Sequence, residues 1–243
     1  MMNVRISTKA YANSAAPVIK DLNFNLERGE FLAIVGPSGA GKSSLLNLIA
    51  GVDTKFEGAI ASQTPDAKPL TIGIMFQEPR LMPWLTLLEN VCLVSDSLES
   101  TLVIKRAHAL LDDVGLAGLA GQYPNQLSGG MQRRVALARA LMAEPDILLL
   151  DEPLVSLDQP AATQLRELLH NVWQARQFTV VYVTHQLDEA IAMADRILFL
   201  STSPARIIKE EIIDLPRPRQ QQNIDALGAS LRGRAGLLSG CMD

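Results

Sequence analysis

Gly36-Pro37-Ser38-Gly39-Ala40-Gly41-Lys42-Ser43 follows the apolar run Phe31-Leu32-Ala33-Ile34-Val35 and leads into Ser44-Leu45-Leu46-Asn47-Leu48-Ile49-Ala50. The run reads as a strand buried on both faces. The stretch from Lys42 to Ala50 reads as a short helix with Leu45, Leu46 and Ile49 inward and Gly51 at its C-terminal end. The octapeptide between them matches the phosphate-loop pattern G-x-x-x-x-G-K-[ST], in the strand–loop–helix setting that the pattern requires. Its glycines let successive backbone N–H groups turn inward as an anion nest, and the helix dipole adds positive charge at the same place. Lys42 is placed to reach β and γ phosphates, the Ser43 hydroxyl to ligate Mg²⁺, and Ser44 to bond an α-phosphate oxygen.

Working outward, Val18 to Leu26 alternates with period two, and Glu27-Arg28-Gly29-Glu30 makes the turn into the buried strand. A second β stretch is expected from Gly58 to about Phe76. From Pro79 to Glu144 the pattern turns helical, over Leu87–Val94, Leu102–Val114 and Met131–Ala143. Ile147 to Leu150 is a second fully apolar strand, Thr163 to Arg176 an amphipathic helix, and Phe178–Val183 and Arg196–Leu200 are further strands. Such alternation predicts an α/β fold of the phosphate-loop NTPase class: a mostly parallel sheet with helices on both faces, an N-terminal antiparallel β part and an inserted helical subdomain. The expected division is one domain over 1–243, with core segments 1–78 and 145–215, a helical subdomain 79–144 and a polar, poorly ordered tail 216–243.

The chain has 243 residues, 22 Lys+Arg against 26 Asp+Glu, 48% apolar and 20% charged residues. That balance excludes a disordered or fibrous chain and gives no reason to expect nucleic acid as partner. Cys92 and Cys241 make neither a disulfide framework nor a thiolate cluster. No leader-like segment is expected, and no apolar run approaches the roughly 18 residues that span a bilayer.

Ile147-Leu148-Leu149-Leu150-Asp151-Glu152 complements the loop: a buried strand delivers two carboxylates at its C-terminal end, where open α/β sheets hold their ligands. Asp151 suits Mg²⁺ through water, and Glu152 is placed to orient and deprotonate an attacking water. No Asn-Lys-x-Asp run for reading guanine is present, which disfavours a GTPase.

Leu127-Ser128-Gly129-Gly130-Met131-Gln132 is the deciding stretch. It matches the LSGGxQ signature, and the chain from about 3 to 218 resembles the nucleotide-binding subunits of ABC transporters. Independently of that resemblance, Ser128, Gly129 and Gly130 open a helix and expose backbone N–H groups, a second anion site without a lysine. The resemblance implies a head-to-tail homodimer in which each ATP lies between Lys42 of one copy and Ser128 to Gly130 of the other. It implies further roles: Gln77 touching Mg²⁺ and coupling to the membrane partner, His185 contacting the γ-phosphate, and Asp158 at the dimer seam. Tyr11 would stack on adenine, with Val18 a second adenine contact. The seam loop reads Val155-Ser156-Leu157-Asp158 where Ser-Ala-Leu-Asp is usual. Arg133, Arg134 and Arg139 read as a solvated helix face.

Gln77-Glu78-Pro79-Arg80-Leu81-Met82-Pro83-Trp84-Leu85-Thr86 resembles importer ATPases for nitrate, sulfonate and taurine, as does Ser203–Ile207 followed by Asp214–Arg219. Thiamine-precursor importers look similar here. A DNA-maintenance clamp of the same class would carry long coiled coils, for which the chain has no room. The resemblance implies permease subunits contacted near Gln77–Leu88; within the apolar segment Leu81 to Val94, Leu88 and Val91 read as subdomain core. It also implies a solute-binding protein as indirect partner, and a place on the cytoplasmic face of a bacterial inner membrane.

Overall fold

The computed structural model describes residues 1–12, 16–62, 69–95 and 100–233. Cys241 and the end of the chain lie outside them, as does 63–68 within the second predicted β stretch. The elements in chain order are β1 (Met2–Lys9), β2 (Ile19–Leu26), β3 (Phe31–Val35), α1 (Lys42–Ile49), β4 (Glu57–Ser62), β5 (Ile72–Met75), α2 (Leu87–Cys92) and α3 (Thr101–Asp113). They continue with α4 (Gly129–Met142), β6 (Ile147–Asp151), α5 (Gln159–Arg176), β7 (Thr179–Thr184), α6 (Leu187–Met193), β8 (Arg196–Leu200), β9 (Ile207–Ile212) and α7 (Gln221–Gly233). The chain divides into two compact units, residues 1–69 with 179–243, and residues 70–178. The unit that holds the predicted helical insert therefore also takes in β5, β6 and α5.

In the first unit, β1 pairs antiparallel with β2 on one side and β4 on the other. Val4 and Ile6 of β1 and Leu22, Phe24 and Leu26 of β2 are buried, the period-two face that the sequence shows. A register shift between Ile6 and Thr8 on the β4 side accompanies an inward Lys9. The same unit holds β7, β3 and β8 in parallel array, with β9 antiparallel on β8. All five residues of β3 are buried, so a continuous apolar run was required.

The tail expectation needs correction. Residues 221–233 form α7, with Ile224, Gly228 and Leu231 buried. The segment leading to it is tied down by two arginines at the end of α6. Arg217 donates to Met193 O at 2.5 Å and pairs with Asp195 at 2.6 Å. Arg219 donates to Ile191 O and, at 2.7 Å, to Ala194 O. Carbonyls at a helix C-terminus lack intrahelical partners, and guanidinium donors satisfy them. Burial, with the neighbouring Arg217 charge adding to it, pulls the Arg219 pKa down to about 10.

In the second unit β5 and β6 run parallel, Gly73 opposite Leu148 and Met75 opposite Leu150. Gly73 is where α4 comes close: a Cβ there would stand 2.5 Å from Ala140 O. Gly73→Ala is expected to lower the unfolding free energy by about 1–3 kcal/mol, as overpacking does. Urea denaturation checks this, and an unchanged midpoint would show that no such constraint exists. The helix read from Thr163 begins earlier, at Gln159, because Asp158 caps it and Pro160 fits its first turn.

Candidate functional site

The glycine-rich loop joins β3 to α1. Gly41 takes φ +90°, and a Cβ on it would fall 2.9 Å from Val18 Cγ1. Glycine is therefore needed here both for the left-handed backbone and for the close approach of Val18. Lys42 is buried, and its Nζ donates to Gly36 O at 2.8 Å and Pro37 O at 2.9 Å. The ammonium thus sits folded against the loop it would serve, on acceptors that phosphate oxygens can replace. Ser43 is exposed and Ser44 half-buried on the first turn of α1, which carries no acidic residue to offset its dipole.

Tyr11 lies at the same place, its hydroxyl donating to Ser44 Oγ at 3.0 Å. Lys9 Nζ stands 4.5 Å from the centroid of the Tyr11 ring. That lysine is buried, paired with Asp53 at 2.6 Å and bonded to Lys55 O at 2.8 Å. The hydrogen bond from Lys9 holds the Asp53 carboxyl below its usual range. Lys9 was missed in the sequence. The signal was available only through the shift after Ile6, which turns position 9 inward.

The parallel register sets Val35 opposite Thr184. Gly36 and His185 are thus the first residues beyond the ends of neighbouring strands. His185 is half-buried between β7 and α6. The residues on either side of it are fixed: Thr184 Oγ1 donates to Glu189 Oε2 at 2.8 Å and accepts from Gln186 N at 3.0 Å. Tyr182 OH donates to the same Glu189 oxygen at 2.9 Å.

The second unit brings its own group together. With Met75 opposite Leu150, Gln77 and Glu152 leave β5 and β6 at the same end. Asp151 is buried, 8% exposed, at the tip of β6. Glu152 follows with φ +44° and Ser156 with φ +61°, left-handed conformations that non-glycine residues hold only when their surroundings impose them. Ser128 caps α4, its Oγ accepting from Met131 N at 3.3 Å. Asp158 caps α5, its Oδ1 accepting from Ala161 N at 2.9 Å. A Cβ on Gly130 would lie 3.5 Å from Ala161 Cβ, so the signature turn and the Asp158 turn are neighbours. Leu87 and Val91 are buried, Leu88 is half-buried, and Trp84 is 70% exposed. The loop that presents Trp84 is shaped by buried Asn90, which donates to Met82 O, Leu85 O and Thr86 O and accepts from Met82 N.

The arginines of α4 are not a solvated face. Arg133 is 7% exposed and donates to Pro153 O at 2.9 Å and Val155 O at 2.5 Å. Arg139 donates to Pro79 O at 2.6 Å and Arg80 O at 2.8 Å, and Arg134 to Gln164 Oε1 at 2.6 Å. Burial lowers the pKa of Arg133 and of Arg139. Helical spacing of charge predicts direction from an axis; it does not predict that a long guanidinium stem folds back onto loop carbonyls.

Among the described residues no cluster of three or more His, Cys, Asp or Glu side chains gathers to hold a metal alone. Within the second unit the hard-oxygen donors at this end of the strands are the Asp151 carboxylate and the Gln77 amide. Such a sparse oxygen set fits Mg²⁺, which keeps waters and takes further oxygens from phosphate. No helix among the described residues is long and apolar enough to cross a membrane.

The ABC transporter family matches residues 19–155. The aliphatic sulfonates import ATP-binding protein SsuB of Bacillus licheniformis is 42% identical over 224 residues, covering 90% of this chain and 88% of its own. Its counterpart SsuB 2 of Burkholderia cenocepacia is 40% identical over 228 residues, with 92% and 82% covered. Among solved structures, the dimeric ATP-binding cassette MJ0796, in a post-hydrolysis state bound to ADP and Pi, superposes with TM-score 0.76 at 34% identity, covering 89% of this chain and 100% of that one. The cbiO1 component of the cbiONQ complex from Clostridium perfringens gives TM-score 0.77 at 26% identity, with 96% and 94% covered. The family match over residues 19–155 and relatives at 40–42% identity over most of both chains make the chain, with its phosphate loop, carboxylate-tipped strand and LSGGxQ helix cap, a member of the ABC transporter ATPase family.

Proposed function

We propose that the chain is the ATP-hydrolysing subunit of a bacterial importer of a small anionic solute of the sulfonate, taurine or nitrate type. The observation that carries this reading is that one chain presents two chemically different helix-opening turns, each with backbone N–H groups suited to phosphate. One has a buried lysine at the start of α1, and the other has only a serine cap and glycines at the start of α4. A head-to-tail pair of copies would use both on one nucleotide. The sulfonate import proteins that the chain resembles supply the solute class.

In the proposed reaction Lys42 exchanges its two carbonyl partners for β- and γ-phosphate oxygens, and the loop amides take the remaining charge. Tyr11, with Val18 beside it, offers the adenine a ring face. Asp151, Ser43 and Gln77 would hold Mg²⁺, and the chemistry it would supply is neutralisation of phosphate charge. Glu152 accepts a proton from the attacking water and fixes its line of approach. His185, held between Thr184 and Gln186, bonds the γ-phosphate. Ser128, Gly129 and Gly130 of the second copy donate to the same group, so hydrolysis removes what joins the copies, and Asp158 lies at the seam. Opening and closing would drive a permease seated on the Gln77–Leu88 segment, fed by a solute-binding protein. The chain would then work on the cytoplasmic face of the inner membrane.

The experiment is reconstitution with the permease and binding protein from the same source, with ATP turnover measured as sulfonate, taurine or nitrate is added. Stimulation by one of these anions supports the reading. Turnover indifferent to all three, with another solute stimulating, overturns the solute class. Trp84→Glu is expected to abolish co-purification with the permease and leave ATP affinity unchanged. Undiminished co-purification would place the docking surface elsewhere.

A further inference from the structure

Among the described residues, Arg133 buries its charge against main-chain carbonyls. It lies on α4, five residues beyond the Ser128 cap, and its guanidinium spans Pro153 O at 2.9 Å, Val155 O at 2.5 Å and, more weakly, Glu152 O at 3.4 Å. None of these three acceptors is a carboxylate, and burial lowers the Arg133 pKa. The loop it holds is itself unusual. Glu152 has φ +44°, Ser156 has φ +61°, and Val155 N donates to Glu152 O at 3.2 Å. A left-handed glutamate costs on the order of 1 kcal/mol or more and persists only where neighbours over-determine it. A guanidinium fork with several divergent donors supplies that determination, because it fixes successive carbonyls at once.

We propose that Arg133 is a positioning residue for Glu152: by fastening the carbonyls of residues 152, 153 and 155 to the signature helix, it aims the Glu152 carboxylate at the attacking water. The proposal rests on the reading of Glu152 as the base, and deepens it. The guanidinium of Arg133 is taken up by these main-chain carbonyls. Since Lys42, Ser43 and Tyr11 are untouched by its loss, ATP binding should survive while the chemical step suffers. A misplacement of about 1 Å in a catalytic group costs about 100-fold. Lysine can reach one or two of the carbonyls but cannot fork across them.

The test is a set of four proteins in the assembled transporter: wild type, Arg133→Met, Glu152→Gln and the double variant, with Arg133→Lys alongside. ATP affinity, measured by equilibrium binding, reports whether each is folded. Arg133→Met is expected to lose about 10- to 100-fold in kcat with ATP affinity within twofold of wild type. Arg133→Lys should fall between them. The double variant should turn over no more slowly than Glu152→Gln alone, because a residue acting through the base has nothing left to position once the base is gone. Losses that multiply in the double variant, or an Arg133→Lys that binds ATP and turns over as wild type, would overturn the proposal. Full turnover by Glu152→Gln would instead strike down the base assignment on which it rests.

Discussion

Glu152→Gln is expected to bind Mg·ATP as tightly as the wild type and to hydrolyse it about 10²- to 10⁴-fold more slowly, the range general-base catalysis contributes. The amide keeps the size and much of the hydrogen bonding of the carboxylate, so the strand end and the turn that follows should be undisturbed. What it loses is the lone pair that takes the proton from water. Glu152 stands one residue beyond buried Asp151, at the end of a strand with every residue buried, so its backbone is anchored on one side by β6 and on the other by Arg133. Single-turnover hydrolysis, set beside equilibrium binding, separates the two effects. A variant that turns over at the normal rate would remove Glu152 from the chemistry and leave Asp151 or a phosphate oxygen to take the proton.

Lys42→Ala should act at the other end of the cycle, weakening ATP binding by about 10- to 100-fold. Charged hydrogen bonds contribute roughly 1.5–3 kcal/mol each, and about 1.4 kcal/mol is a factor of ten. The loss is moderated by the loop amides and the α1 dipole, which remain. The lysine is buried and bonded to Gly36 O and Pro37 O, so its removal also leaves two carbonyls to be met by water. Melting temperature should be followed in parallel. Unchanged ATP affinity in a folded variant would mean that the glycine-rich loop is not where the phosphates sit.

What the residues made legible was whatever depends on short-range pattern. Phe31–Val35 and Ile147–Leu150 could only be buried strands, and the loop between Val35 and Ser43 could only follow one. The period-two spacing of Leu22, Phe24 and Leu26 showed a strand with one buried face. What stayed hidden depends on where chain segments far apart in sequence meet. Gln220 to Gln222 masked the apolar seven-residue spacing of Ile224 and Leu231, and the arginines that fasten the segment before α7 reach carbonyls more than twenty residues earlier. The same blindness turned Arg133 and Arg139 into an imagined solvated face. Their partners are loop carbonyls at 153, 155, 79 and 80, which no periodicity marks. The candidate site residues could be named because the patterns that mark them are local: a loop, a strand end, two helix caps. The props beneath them, Lys9 under Tyr11 and Glu189 beside His185, could not.

The claim on which the account turns is that one copy's phosphate loop faces the other copy's signature turn across the nucleotide. The most direct measurement is oxidative cross-linking of a chain carrying Ser38→Cys and Ser128→Cys, with Cys92 and Cys241 replaced by alanine and Glu152→Gln included to hold ATP. The account predicts a covalent dimer on a non-reducing gel that forms with Mg·ATP and disappears without it. A chain that binds Mg·ATP yet yields only monomer under the same oxidant, with the permease present, would contradict it.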